Sequence, residues 1–376
     1  MIKNIVILGS NNKFGCSIIS FFKNYPNVYS IYGLTYDSKR NNIDEFIEQV
    51  NTFNCKRIYV NNKIDAEYIE SKVNAKIFVG YENFINFIKS TDIDQVVSTL
   101  SGIISVKKIL SVIHEFKDLT LLNTSPLLYS GNIIPKEAIS KGIKLDIVSY
   151  PAYSIAQFKN NRNILDIRKI NLFTTFKKKK LLPTYDYDNL LDYIKAYNST
   201  NNIRILNDLF LCSYLYNIDP NNFDFFYQDK KLISIILKFK EGGSIIYSAN
   251  KNLISIYNYY FLRNLNVTIK DTDDFDCDKL SFKVEKIDLS KEKYLSLGLS
   301  ALKKGGSLPI LFYITTELFI ELLYNNRILK NVELYTVLKK ILDDPTLYKK
   351  YPDLSSIYAF ENKINDILIN NYCKKL

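Results

Sequence analysis

The sequence predicts an α/β protein in three parts: an N-terminal parallel sheet, a central α+β region and a helical C-terminal region. Two observations carry this expectation. Between Lys3 and Ser149, short β-branched runs alternate with helical apolar spacings, the order of an open, mostly parallel sheet with right-handed crossovers. Beyond Ser149 the strand-like runs lengthen, and beyond Ser290 only helical spacing remains.

Taken in order, Lys3 to Leu8 is an apolar run that ends at Gly9, and Ile18, Ile19, Phe21 and Phe22 then follow at helical spacing. Strand, glycine turn and helix in that order open a Rossmann-like, dinucleotide-binding unit. Further strands are expected at Val28 to Leu34, Arg57 to Val60, Lys76 to Val79, Gln95 to Leu100, Leu119 to Leu122 and Lys144 to Ser149, with helices at Ile43 to Phe53 and Val106 to Phe116. After a strand at Ile167 to Thr175, the runs Leu232 to Phe239 and Ser244 to Ser248 flank Glu241-Gly242-Gly243 and predict a hairpin. Asp271 to Asp278 reads as an acidic linker. From Tyr294 to Ile328 the helical spacing is broken at one place, Gly305-Gly306-Ser307-Leu308-Pro309, and the last amphipathic helices are Leu334 to Leu342 and Ile357 to Ile369.

A chain of 376 residues is long enough for two or three domains, each with its own core. The use of 29 Tyr and 23 Phe with no Trp and only 12 Gly follows an AT-rich coding bias and does not mark a binding surface. The net charge of +11 comes from lysines spread along the chain; the one dense run, Lys177 to Lys180, reads as a solvated loop. With no recognition motif beside it, that charge argues against a nucleic-acid partner and suits phosphorylated small molecules.

Cys16, Cys55, Cys212, Cys277 and Cys373 show no CxxC pair and no metal-ligand spacing, which points to reduced thiols in a cytoplasmic or organelle or endosymbiont stroma-like compartment. No signal peptide and no apolar stretch of membrane-spanning length is expected. The single histidine, His114, reads as a surface or helix-packing residue, and the GxSxG, P-loop and zinc patterns are absent.

Five segments then stand in order along nearly the whole chain: GSNNKFG at 9–15, LNTSP at 122–126, VSYPAYSIAQ at 148–157, LNDLFLCSYLY at 206–216 and GGSLPILFYITTE at 305–317. Together they resemble the 1-deoxy-D-xylulose-5-phosphate reductoisomerase family. The first is similar to that family's GSTGSIG turn, the second to ANKES and the third to VDSEHxAIFQ. The fourth looks like the helix MNKGLExIEAHxLF, and the fifth looks like GGTLPAVLNAANE.

The resemblance implies an NADPH-binding domain over 1–148, a central catalytic and dimerisation domain over 149–288, a connecting helical segment over 289–328 and a C-terminal helical domain over 329–376. It also implies a homodimer, no membrane attachment, and a metal-assisted reaction: rearrangement and NADPH-dependent reduction of 1-deoxy-D-xylulose 5-phosphate to 2-C-methyl-D-erythritol 4-phosphate, in isoprenoid precursor synthesis.

On the cofactor side the resemblance places Gly9, Ser10, Asn11, Asn12, Lys13 and Phe14 at the pyrophosphate turn, with Gly102 and Asn123 nearby and Lys39 and Arg40 as cations for NADPH. Asn12 stands where the family has its middle glycine, and Asn is the side chain that best tolerates positive φ. The family's Mg or Mn ligands correspond to Ser149, Pro151 and Asp208, of which only Asp208 is a carboxylate. Thr175 and Arg204 remain as substrate-side candidates. The other polar positions are replaced, by Thr124, Ser125, Ala152, Ile205, Tyr313 and Thr316, while Gly305, Gly306, Pro309 and Glu317 are kept. Scaffold is retained and ligands are lost. That contrast opens a second reading, a catalytically inactive paralogue acting as a scaffold or as the subunit of a heteromeric partner.

Overall fold

A computed structural model describes residues 2–38, 42–159, 163–175, 202–229, 233–248, 254–263, 265, 267, 283–325, 327–328 and 332–373. The chain divides into two units, the first made of residues 1–127, 134–149 and 252–272, the second of 128–133, 150–251 and 273–376.

The first unit is built on seven parallel strands: β1 (Lys3–Leu8), β2 (Tyr29–Tyr36), β3 (Arg57–Val60), β4 (Lys76–Val79), β5 (Gln95–Ser98), β6 (Asp118–Leu121) and β7 (Leu145–Ile147), in the spatial order 4-3-2-1-5-6-7. A sheet covered on both faces has continuous apolar strands, and Ile5, Val6, Ile7 and Leu8 are all fully buried. The expected strands are all present, within a few residues at their ends. Connections run through α1 (Lys13–Lys23), α2 (Ile43–Thr52), α3 (Lys63–Glu70), α4 (Phe84–Ile88), α5 (Ile104–His114), α6 (Ser125–Ser130) and α7 (Ile133–Ser140). Strand order reverses between β1 and β5, so the crevice at their carboxyl ends is the ligand position that this topology favours.

Many of the abundant aromatics are core. Phe21, Phe22, Tyr29, Tyr257 and Phe261 pack ring against ring, and the Tyr29 hydroxyl donates to the Phe261 carbonyl. Residues 254–263 thus return to the first unit, a long-range contact that no local pattern announces. A second cluster joins Tyr59, Phe78, Phe84 and Phe87. His114 closes α5 at the surface, 3.0 Å from the Glu137 carboxylate.

The second unit contains a mixed five-stranded sheet ordered β11-β10-β8-β9-β12, from β8 (Ile167–Thr175), β9 (Phe223–Gln228), β10 (Ile233–Phe239), β11 (Ser244–Ser248) and β12 (Val284–Lys286). The expected hairpin is β10–β11, with Gly242 and Gly243 at positive φ. β9 and β12 were not expected from the sequence. β9 follows a Pro220-Asn221-Asn222 turn and runs parallel to β8, a pairing set by tertiary approach and not by a short turn. The acidic linker and Lys177 to Lys180 lie outside the described residues.

Helices α8 (Tyr150–Lys159) and α9 (Ile203–Tyr216) accompany this sheet, and α10 (Ile254–Tyr257) belongs to the returning segment. Four more helices follow: α11 (Lys293–Lys304), α12 (Leu308–Tyr324), α13 (Leu334–Leu342) and α14 (Leu354–Tyr372). The break between α11 and α12 has a physical cause. Gly305 and Gly306 both take positive φ (70° and 62°), and a Cβ on Gly306 would meet the Lys349 carbonyl at 2.5 Å. Pro309 then suits the first turn of α12, where its missing N–H costs nothing. Ser307, fully buried, donates its hydroxyl to Leu347 O (2.9 Å), accepts from Lys349 N (2.9 Å) and gives its own N–H to Lys349 O (2.8 Å). Residues 308–316 of α12 are buried all round, as expected of a helix without a polar face. Among the described residues no helix is long and apolar enough to cross a membrane.

One polar group sits uneasily in α12. Burial pushes the Glu317 carboxyl up to about 7, with the Glu321 charge adding to it, while a hydrogen bond from Tyr313 works in the other direction. Glu361 on α14 is raised by burial and by Glu321 as well. Because the Glu317 value in the folded chain lies above its ordinary 4.5, stability from this group is fully present below 4.5 and is lost as pH rises through 7. Glu317→Gln is therefore expected to raise the melting temperature at pH 8, with the gap to the parent chain closing as pH falls from about 7 toward 4.5; a gap independent of pH refutes this account. Ser307→Ala is expected to cost roughly 1–3 kcal/mol in urea unfolding, since it leaves the buried Leu347 carbonyl short of a donor and removes the acceptor of the part-buried Lys349 N–H.

Candidate functional site

At the carboxyl edge of the parallel sheet, the turn between β1 and α1 is held by hydroxyls from two neighbouring strand ends. Gly9 takes φ +80°, its N–H donates to Thr35 Oγ1 (2.6 Å), and Thr99 Oγ1 donates to Gly9 O (2.7 Å). A Cβ on Gly9 would meet Thr99 Oγ1 at 2.5 Å, and one on Gly15 would meet Gly9 O at 2.3 Å. Both glycines are required for the helix to close onto the turn, the packing role that glycines at the ends of a dinucleotide-binding turn fulfil.

Asn12 differs from the expectation of a left-handed residue. It is extended (φ −100°, ψ 171°) and caps α1, its Oδ1 accepting from Gly15 N (3.0 Å) while its Nδ2 donates to Thr99 Oγ1 (2.6 Å). The amide replaces missing backbone flexibility with hydrogen bonds. Ser10 also points inward, its hydroxyl donating to Thr35 O (3.1 Å), and Asn11 is 3% exposed with its amide on Asp37 and Asn42. Lys13 and Phe14 are the exposed residues of the turn, and as the first two positions of α1 they carry its unpaired backbone N–H groups. An anion held there meets the positive end of the helix.

The adjoining strand ends complete this edge. Gly102, at φ +76° after β5, donates its N–H to Ser125 Oγ (3.1 Å), and Asn123 Oδ1 accepts from Ser125 N (2.9 Å) just ahead of α6. The structure thus brings together Gly9, Ser10, Asn11 and Asn12, and separately Gly102, Asn123 and Ser125, on one edge of one sheet. Lys39 and Arg40 lie outside the described residues. Thr35 and Thr99 were missed by the sequence reading. Their signal was a β-branched hydroxyl at the carboxyl end of a strand beside a glycine turn.

The residues proposed for metal and substrate are differently placed. Ser149 closes the sheet segment of the first unit, and Pro151 lies in the first turn of α8 in the second. Asp208 is half-buried on α9, one turn beyond the exposed Arg204 and one turn before the buried Cys212, whose thiol is raised first by burial and then by the Asp208 charge. Thr175 ends β8 opposite Gln228 of β9. The start of α9 is fixed by Asn202, in left-handed conformation, whose amide donates to Glu292 (2.9 Å) and to the Tyr227 hydroxyl (3.2 Å). The Pro151 side chain has no donor atom, and among the described residues no group of three His, Cys, Asp or Glu could hold a metal ion. A hard divalent ion requires several anionic oxygens, so this donor set does not fit one.

Comparison with known proteins agrees with this geometry. A family model described as 1-deoxy-D-xylulose 5-phosphate reductoisomerase matches residues 5–131. The enzyme of that name from Thermodesulfovibrio yellowstonii is 23% identical over 91% of this chain and 92% of its own length. The one from Clostridium botulinum is 23% identical over 98% and 99%. The fold matches the reductoisomerase of Zymomonas mobilis in complex with NADPH with a TM-score of 0.85 at 15% identity, covering 98% of this chain and 99% of that one. A reductoisomerase in complex with magnesium matches with 0.83 at 17% identity over 98% of each. In sequence and in fold, along nearly its whole length, this chain resembles the 1-deoxy-D-xylulose 5-phosphate reductoisomerases.

Proposed function

We propose that this chain is a reductoisomerase-family protein that keeps the dinucleotide-binding edge and has an impaired form of the metal-assisted reaction. The observation that carries it is the contrast between the two site regions. At the β1–α1 turn both glycines are sterically required and the first N–H groups of α1 are open to an anion; at the metal position, proline stands where a carboxylate is needed.

Gly9, Asn12, Lys13 and Phe14 would hold the pyrophosphate of a reduced nicotinamide dinucleotide, NADPH in the family, with Gly102 and Asn123 beside it and Lys39 and Arg40 as cations near its adenosine end. Such a cofactor supplies a hydride. Thr175 and Arg204 are the substrate-side groups of this reading, a hydroxyl and a cation suited to a phosphate. Asp208 alone supports no step through Mg or Mn. The division into a 1–148 cofactor domain, a 149–288 central domain, a 289–328 connector and a 329–376 helical domain, and a homodimer formed through the central domain, belong to the same proposal. The second reading, an inactive paralogue serving as scaffold or as a partner subunit, is favoured by the kept Gly305–Pro309 turn beside the lost ligands.

Purified chain titrated with reduced dinucleotide, followed by nicotinamide fluorescence, is expected to saturate without added metal. With 1-deoxy-D-xylulose 5-phosphate and Mg²⁺ or Mn²⁺, dinucleotide oxidation is expected to be slower than in an intact family member by at least about 10²–10³, the usual cost of one missing electrostatic group. Turnover at the full family rate overturns the impaired-site reading. Absence of dinucleotide binding, with a partner recovered from the native cell, moves the conclusion to the scaffold.

A further inference from the structure

The polar edge at the carboxyl ends of the parallel strands extends past β2. Tyr36 and Val60 are paired, so β2 and β3 end level, and Asn61 and Asn62 follow β3 as Asp37 and Ser38 follow β2. Hydrogen bonds run along this edge. Asn11 of the glycine turn holds the Asp37 backbone on both sides (3.1 and 2.9 Å), and Asn62 Nδ2 donates to Ser38 Oγ (3.0 Å). With neighbouring strands about 4.8 Å apart, the end of β3 lies roughly 10 Å from the β1–α1 turn.

A cation reaches that point from the other half of the sheet. Lys108 belongs to α5, which follows β5, yet its Nζ lies 3.2 Å from Asn61 Oδ1. The ammonium stands 4.7 Å from the centre of the Tyr59 ring and 5.3 Å from that of Phe84, and the residue is 9% exposed, whereas its acceptor Asn61 is an exposed residue. The stem is therefore buried against aromatic surface while the head sits at a polar rim, as long cationic side chains are disposed. An ammonium carries three N–H donors, and among the described residues its hydrogen-bond acceptor is Asn61 Oδ1 alone. Burial lowers this group to about 8, against a smaller opposing effect of the Asp37 charge. Lys108 is thus a buried cation with donors to spare, at one end of the edge that begins at the glycine turn.

In a doubly wound sheet the pyrophosphate lies at the first glycine turn and the adenosine ribose at the end of the second strand. The base extends beyond the ribose, toward the third. An adenine offers ring nitrogens as hydrogen-bond acceptors along its edge. We propose that Lys108 reads the adenine of the bound dinucleotide, its spare N–H groups donating to a ring nitrogen of the base at the end of β3. This rests on the dinucleotide reading above. The aromatic surroundings of the ammonium, and its place one strand beyond the ribose, favour the base over the 2′-phosphate as its partner.

The test is fluorescence titration of the full-length chain with NADPH and with NADH, as the parent, Lys108→Met and Asn61→Ala. Methionine keeps an unbranched apolar stem and removes the donors. Lys108→Met is expected to weaken both dinucleotides by a similar factor of about tenfold or more, the worth of one hydrogen bond from a charged group. Asn61→Ala leaves the ammonium in place and is expected to keep both affinities close to the parent's. Equal weakening by the two variants makes the Lys108–Asn61 contact a scaffold bond only and overturns the proposal, as does an unchanged affinity in folded Lys108→Met. A loss confined to NADPH assigns the ammonium to the 2′-phosphate and overturns the reading of the base. In the parent, saturating dinucleotide is expected to slow reductive methylation of Lys108, followed by mass spectrometry; an unchanged rate overturns the proposal even where a variant does not fold. If the parent binds neither dinucleotide, the dinucleotide reading fails and this proposal with it, whereas binding that is indifferent to Lys108 is the failure of this proposal alone.

Discussion

The close approach of β1, β5 and α1 at Gly9 is the constraint from which the candidate site follows. There is no room for a side chain at that residue, and the space a Cβ would take is filled by Thr99 Oγ1 and Asn12 Nδ2. Thr35 reaches the same turn from β2. The order of strands matters because it places β2 and β5 on either side of β1, so hydroxyls from both neighbours converge on one loop. With the turn tied from both sides, α1 starts at a fixed point and its first N–H groups have a fixed direction.

A polar turn of this kind also explains how an asparagine can stand at a glycine position. Here the chain uses an extended residue whose amide caps the helix and bridges to Thr99 just beyond β5. The turn is held while its side-chain amide is committed to Gly15 and Thr99. A similar economy holds the second unit, where Ser307 links the glycine break to residues 347–349 through three hydrogen bonds. In both places the side chains are held by contacts within the scaffold.

The parallel sheet was legible because buried parallel strands are short, continuous and β-branched, and because each is followed by a helix with its own apolar period. The GGSLP break was legible for an equally local reason: two glycines and a proline have few conformational alternatives. β9 was not legible, since its partner β8 is parallel and distant in the chain, nor was the return of Tyr257 and Phe261 to pack on Phe21 and Phe22. Such pairings are decided by surfaces that exist only once the units have formed.

For the site, the sequence by itself determined which chemical groups are available: two glycines and amides at the first turn, one carboxylate among Ser149, Pro151 and Asp208, one histidine and no tryptophan. Composition settles what can be supplied, because folding adds no new side-chain group. Only the tertiary structure decided how those groups are spent. It turned Ser10 and Asn11 inward and made Asn12 a cap. Hydrogen bonds and charges act over a few ångströms between residues far apart in the chain, and that distance is a property of the fold alone.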